Sequence, residues 1–459
     1  MSHCHLLGSV ITGLAALNSL SASAQMLAGG ASHSLAICAD GAVRAWGEND
    51  IGQLGNGSAQ DTLAPVVVPG LQNAISVCAG LHYSLALLND GTVWSWGLND
   101  LGQLGIGSIT EQFGPVQIVG LQNCTAIAAG VNHALAVDLN GQVWAWGWNS
   151  VGQLGDGTNS TRLEPVHVME LTGVSQVAAG LLHSLAVKDD GTLWSWGWNG
   201  TGQLGTGDTT LSYMPVQVSI TDVVATAAGF GHSLALKADG SLWAFGDNTD
   251  GQLGDGSTVP SDSPVQCSGL EGIISCGSGN RHSLALKTDG IVWAWGKNLD
   301  GQLGNSTTTD SPIPVEVLLS VEPDHIAAGF SHSMASTAQV DGLWTWGLNS
   351  SGQLGNGSET TSSSPVNVEG VCTTDAMPEP IEYAMRLNVF PDPATDLVTF
   401  STPRMVDRLT IHDATGNKIL NYMDVGTGIT VDLGMLSSGV YFATCTMGTS
   451  IARSRFVML

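Results

Sequence analysis

Short apolar runs, broken by glycine, asparagine or aspartate, fill most of this chain and predict strands rather than helices. "HSLAL" at 232–236 and "VWSWG" at 93–97 are such runs, and pairs of them are joined by Asp-Gly, as at Asp90-Gly91, Asp190-Gly191 and Asp239-Gly240. Asp-Gly suits a two-residue hairpin, whose type I′ turn needs positive φ at both central residues. A further run precedes the histidine, as in "QVAAG" at 176–180, and a last one follows, as in "PVQIV" at 115–119 or "PVHVM" at 165–169. Proline opening that last run marks it as an edge strand, where a missing N–H does little harm. Four strands then make one unit.

The unit recurs. Gly-Gln-Leu-Gly begins at Gly52, Gly102, Gly152, Gly202, Gly251, Gly301 and Gly352, about 50 residues apart. The units span 25–70, 71–120, 121–170, 171–219, 220–269, 270–319 and 320–370. Seven four-stranded units in a ring predict an all-β fold, a seven-bladed β-propeller over residues 25–370, in which each sheet buries both faces against its neighbours. The pattern leaves open which strand closes the ring.

Recurrence also sorts scaffold from candidate chemistry. The glycines of "WGWNSVGQLG" at 146–155 look like a phosphate cradle, yet no Lys or Arg follows Gly155 and no helix start is predicted. Positive φ or close backbone approach explains them better. Trp46, Trp96, Trp146, Trp196, Trp295 and Trp346 form one column, with Trp94, Trp144, Trp194, Trp243, Trp293 and Trp344 two residues earlier. Positions i and i+2 share a strand face, so both columns are expected between blades. His33, His133, His183, His232, His282 and His332 form another, expected to make a hydrogen bond within each blade rather than to hold a metal. Tyr83 takes that place in the second unit.

Two columns vary, so the fold does not dictate them. The x of WGxN is Trp148 and Trp198 in two neighbouring units but Glu48, Leu98, Asp247, Lys297 and Leu348 elsewhere. The xx of AGxxH brings Leu81, Val131, Leu181, Leu182, Phe230, Arg281 and Phe330. These residues are the candidate partner-binding site, either as one exposed patch or, for the AGxxH residues, as a plug in the axial channel.

The phrases WGxNxxGQLGxG, AGxxHSLAL and DGxVW, in that recurring set, resemble the regulator of chromosome condensation repeat family, which implies a seven-bladed propeller. Departures are small: Asn140 at one turn, Phe245 for one Trp, and an extra residue before Asp341-Gly342. The founding member acts on the Ran GTPase and chromatin, and the resemblance implies its fold rather than that activity. The family's plant ultraviolet-B photoreceptor depends on Trp and Arg in its AGxxH-equivalent segments, whereas Arg281 alone stands there here. A secreted bacterial propeller of the family that inhibits β-lactamase is nearer in setting, and it implies a rim that binds protein.

Composition narrows the setting. A formal charge of −26, from 13 basic and 39 acidic residues, disfavours nucleic acid and anionic membranes as partners. Residues 1–24 read as a signal peptide, apolar from Leu6 to about Leu20 and ending Ala22-Ser23-Ala24, too short to insert as a span. Of the cysteines, buried free thiols are favoured slightly over one or two disulfides, with Cys267 and Cys276 the nearest pair.

After a linker at 371–387, residues 388–459 return to alternating strands, expected as a small β-sandwich. "VFPDPATD" at 389–396, "LSSGVYFATC" and "RFVML" resemble the type A C-terminal sorting domain of bacterial type IX secretion, on Phe390, Pro391, Asp392, Pro393, Gly439, Arg455 and Phe456. Asp392 stands where that motif usually has Asn. The resemblance implies handling by the type IX machinery and a place outside a Gram-negative cell or on its outer surface.

The sequence carries no Ser-His-Asp phrase, HExxH, nucleophile elbow or EF-hand loop; "DNTDGQLGDGST" at 247–258 lacks the alternating acidic positions. No catalytic, cofactor or metal residue is therefore assigned. The expected function is a non-catalytic, monomeric binding propeller whose partner is an extracellular protein, with a surface glycan as the alternative and a hydrolase the least supported.

Overall fold

The computed structural model describes residues 25–337, 342–372, 388–390, 397–413, 418–433, 436–437, 439–447 and 450–458. The signal-peptide reading of 1–24, most of the linker, the extra residue before Gly342, and Pro391, Asp392 and Pro393 lie outside these residues.

The chain divides into two units, Met1–Cys372 and Thr373–Leu459. The first holds seven four-stranded antiparallel sheets, each built from strands consecutive in sequence. Blade 3 is representative: Cys124–Ala129 lines the axis, followed outward by His133–Asp138, Val143–Gly147 and Arg162–His167. Every blade is complete in itself, so no strand from one terminus joins a blade from the other. Proline lies inside the fourth strand rather than at its start: Pro165 sits where the register slips between Ala145 and Gly147. The edge position is as expected, and the bulge leaves its missing N–H unopposed.

The seams explain the repeat. Gln153 of blade 3 offers its carbonyl to blade 4, accepting Trp196 Nε1 at 2.9 Å and Ser184 Oγ at 2.7 Å. His133 of blade 3 contacts the same Ser184 Oγ at 3.0 Å. The serine's one proton is committed to the carbonyl, so the imidazole donates from Nε2 and its Nδ1 is unprotonated. The histidine bond thus crosses between blades, which corrects the expectation of a bond within each blade. A residue's neighbours across a seam are 31 to 51 positions distant in sequence, so no local pattern reports them.

Both glycines of the repeat serve the same seam. Gly152 has φ +82°, and a Cβ there would lie 2.7 Å from Tyr213 Cα in blade 4. Gly155 lies as close to the Trp196 indole. The Trp46 column is fully buried, whereas the Trp94 column, on the same strand face, is only half-buried. The Asn of WGxN is buried too: Asn149 Oδ1 accepts Leu154 N, and its Nδ2 donates to the carbonyls of Thr158 and Ser160, tying the long loop to the blade.

Tyr83 breaks the histidine column for a visible reason. Its partner in blade 3 is Ala134 rather than serine, and the phenol instead donates to the His133 carbonyl. Tyr83→His alone should therefore bury an unsatisfied N–H, costing about 1–3 kcal/mol. Adding Ala134→Ser should recover most of that loss, measured as urea midpoints in a double-mutant cycle. Equal midpoints for the single and double variants would contradict this pairing.

The ring closes through the same latch plus a covalent one. Gln353 O accepts Trp46 Nε1 and Ser34 Oγ, and His332 Nε2 meets Ser34 Oγ at 2.9 Å. Cys38 and Cys372 form a disulfide across 334 residues, with Cα atoms 5.4 Å apart. This corrects the cysteine reading: Cys267 and Cys276 are free thiols, and Cys372 belongs to the propeller rather than to the linker.

Among the described residues, the second unit is a small antiparallel domain of five strands. Its long strand Leu397–His412 pairs with Asn388–Phe390 near its start and with Gly439–Met447 near its end. A strand that changes partners in this way lets a small sheet fold over its own core, here Phe400, Leu409, Ile411, Val431, Tyr441 and Cys445. The closing strand Ser450–Met458 pairs with Gly439–Met447, setting Arg455 opposite Phe442, Phe456 opposite Tyr441, and Gly439 opposite Met458. Phe390 pairs with Thr399.

Candidate functional site

The two variable columns, separate in sequence, lie side by side. In each blade the residue after Trp-Gly donates its N–H to the second x of AGxxH: Trp148 to the Asn132 carbonyl and Trp198 to the Leu182 carbonyl, both at 2.8 Å. Glu48 to Ser32, Leu98 to His82, Asp247 to Gly231 and Lys297 to Arg281 repeat the bond. The loop between strands one and two and the loop between strands three and four therefore share one face of the ring. The Asp-Gly hairpins occupy the other.

The AGxxH residues divide. Leu81, Val131, Leu181, Phe230 and Phe330 line the mouth of an axial cavity of about 250 Å³. Main-chain bonds link them around the ring, from Leu81 N to Val131 O and from Phe330 N to Gly30 O. Phe230 and Phe330 meet edge to face, with ring centroids 6.1 Å apart. Leu182 and Arg281 stand outside this lining, on the rim.

Side-chain chemistry around the rim is uneven. Glu48 and His82 pair at 3.2 Å across blades 1 and 2, and the imidazole beside Glu48 holds that carboxyl below its usual range. Arg281 is half-exposed and bonded to Asp250 at 2.8 Å across blades 5 and 6, so its guanidinium is already partnered. Between these charged sectors, blades 3 to 5 present Trp148, Leu181, Leu182, Trp198 and Phe230, while Val131 is buried at the cavity mouth. Both rim indoles are half-buried. Trp198 folds back over Gly200, where an added Cβ would lie 2.5 Å from its ring.

Beneath them, sequence reasoning missed a polar detail. Gln53 and Gln103 donate Nε2 to Asp50 and Asp100. Ser150 and Gly200 replace those aspartates in blades 3 and 4, and the buried Nε2 atoms of Gln153 and Gln203 find no acceptor among the described residues. The signal was a repeat position that loses its acid only in some blades. The histidine column, by contrast, is fully committed to the seams, and no cluster of metal-ligating side chains is found among the described residues.

This architecture can be placed among known proteins. Residues 162–379 match the RCC1-like domain, and residues 40–87 and 90–137 match the regulator of chromosome condensation (RCC1) repeat. A second description of that repeat matches 74–103 and 124–153. The chain belongs to the regulator of chromosome condensation repeat family. Among solved structures this RCC1-repeat protein is similar to yeast RCC1 (Prp20), crystallised bound to Kap60, at 24% identity and a TM-score of 0.64, covering 75% of this chain and 85% of that one. It is also similar to human WBSCR16, at 26% identity and a TM-score of 0.64, covering 71% and 93%. No curated protein matches the chain.

Residues 388–458 match the secretion system C-terminal sorting domain. The RCC1-repeat protein is therefore handled by the type IX secretion machinery and is secreted or held on the outer surface of a Gram-negative cell.

Proposed function

We propose that this protein is a non-catalytic, monomeric binding propeller that engages an extracellular protein through the apolar sector of its rim. The observation that carries the reading is that main-chain bonds seat Trp148 on Asn132 and Trp198 on Leu182, in a sector bounded by the Glu48–His82 contact and the Arg281–Asp250 ion pair. Large aromatic side chains held by their neighbours lose little entropy on binding and dominate interface energies. The charged sectors on either side would then set orientation more than affinity.

The variable column tolerates Glu, Leu, Asp and Lys in other blades, so Trp148→Ala and Trp198→Ala should fold normally. Each should weaken capture of the partner from culture medium about thirtyfold, as expected of a hot-spot residue. A single protein recovered at equal molar yield by wild type and lost with both variants is the expected result, read by quantitative pull-down. Unchanged capture with the double variant would place the site elsewhere. Binding to a glycan array that disappears with the same variants would turn the reading into a lectin.

A further inference from the structure

We propose that the groove at the seam of blades 4 and 5 is a second binding site, taking a pyranose unit of a neutral glycan against Trp243. The groove encloses about 460 Å³ and is lined by Trp243 and Lys237 with the hydroxyl side chains Thr206, Ser219, Thr221 and Ser263. Lys237 closes the second strand of blade 5, at the hairpin end, so the groove is distinct from the AGxxH rim.

The sequence made this seam unlike the others. From Gly202 to Gly251 the spacing falls to 49 residues, and the missing residue lies in the connection before Val223. In blade 3 the corresponding connection carries Met169, packed so closely on Gly157 that an added Cβ would lie 2.9 Å from its sulfur. Ser219 replaces that methionine, and the nearest atom to a Cβ on Gly207 is Ser263 Oγ at 3.8 Å. A shorter connection and a smaller side chain open the cleft.

The indole, packed on the seam core by one side, also lacks the cover it has in blades 3 and 4. His167 stacks on Trp144 with centroids 3.7 Å apart, and Lys188 Nζ lies 5.7 Å from the Trp194 ring centre. Neither a ring nor a cation covers Trp243 among the described residues, while Ser241 Oγ fixes its Nε1 at 3.2 Å. Lys188 and Lys287 pair with Asp190 and Asp289 within 4.0 Å, whereas Lys237 forms no such close pair among the described residues and acts on Asp239 only through its charge.

An apolar ring face, an ammonium without a close ion pair among the described residues and several hydroxyls match the C–H face and hydroxyl edge of a sugar. Asp208, Asp222 and Asp262 each accept from one of the lining hydroxyls, so carboxylates stand directly behind the lining. Their charge repels acidic sugars, which is why a neutral glycan is specified.

The test is calorimetric titration of the secreted protein with xylo-, manno- and cello-oligosaccharides, with oligogalacturonate as the acidic comparator. At least one neutral series should bind more tightly than oligogalacturonate. Ser219→Met, which refills the cleft as in blade 3, and Trp243→Ala should each weaken it by about tenfold or more, and Trp194→Ala should leave it unchanged. The proposal falls if no neutral series binds at about 10 mM, if Ser219→Met binds as wild type, or if oligogalacturonate binds best. The rim variants Trp148→Ala and Trp198→Ala should not affect this binding, which separates the two sites.

Discussion

Lowering the pH from 7 towards 4 should unfold the propeller steeply, because six seam histidines must each take up a proton as they leave the core. His33, His133, His183, His232, His282 and His332 are fully buried. Burial pushes His33, His133, His183 and His282 down to about 3, and His232 and His332 to about 4. The Nδ1 atoms have no partner among the described residues, so protonation would bury an N–H with nothing there to accept it.

The sign follows from proton counting. In the unfolded chain these groups titrate near 6.5, so between about 6.5 and 3 the unfolded state binds more protons than the native one. Stability is full above 6.5 and is lost as pH falls through that window. Each group contributes up to about 1.4 kcal/mol per pH unit, and the six act in parallel. Urea midpoints measured from pH 7.5 to 4 should fall with a slope that His183→Gln reduces by about one proton. A midpoint that stays level between pH 7 and 5 would contradict the buried, neutral seam.

Replacing Cys38 and Cys372 together by serine should cost about 2–5 kcal/mol, the largest expected effect of any change outside the hydrophobic core. The crosslink spans almost the whole propeller and so restricts the unfolded chain more than a short loop would. The export set by residues 388–458 supplies the oxidising surroundings in which such a bond persists. Because the Gln353 latch remains, the double variant should still fold, and its loss should concentrate in blades 1 and 7. Hydrogen exchange should show faster opening at Leu27–Gly29 and Ser362–Val368 than in blades 3 to 5. Uniform exchange, or a melting temperature indifferent to reductant, would count against the disulfide as the closing element.

Much of the fold was legible because the repeat tests each local reading many times over. Asp-Gly hairpins, alternating runs and Gly-Gln-Leu-Gly loops all recur, and the architecture follows from their number. The candidate site was legible only as variation against that background. Trp148 and Trp198 stood out because other blades hold Glu48 or Lys297 there, but a column of differences says nothing about what lies beside it.

What sequence alone determined is the local programme: four strands per unit, where each turns, which positions vary, and the tail that exports the chain. Short-range backbone preference and side-chain alternation carry that information within a few residues. Tertiary structure decided everything that crosses a seam: histidine to serine in the next blade, tyrosine facing an alanine, Cys38 joined to Cys372, and two variable columns merged into one rim. It also showed that a single missing residue before Val223 opens a groove beside Trp243. These contacts join positions tens to hundreds of residues apart, and their energies depend on burial and geometry that exist only once the ring has closed.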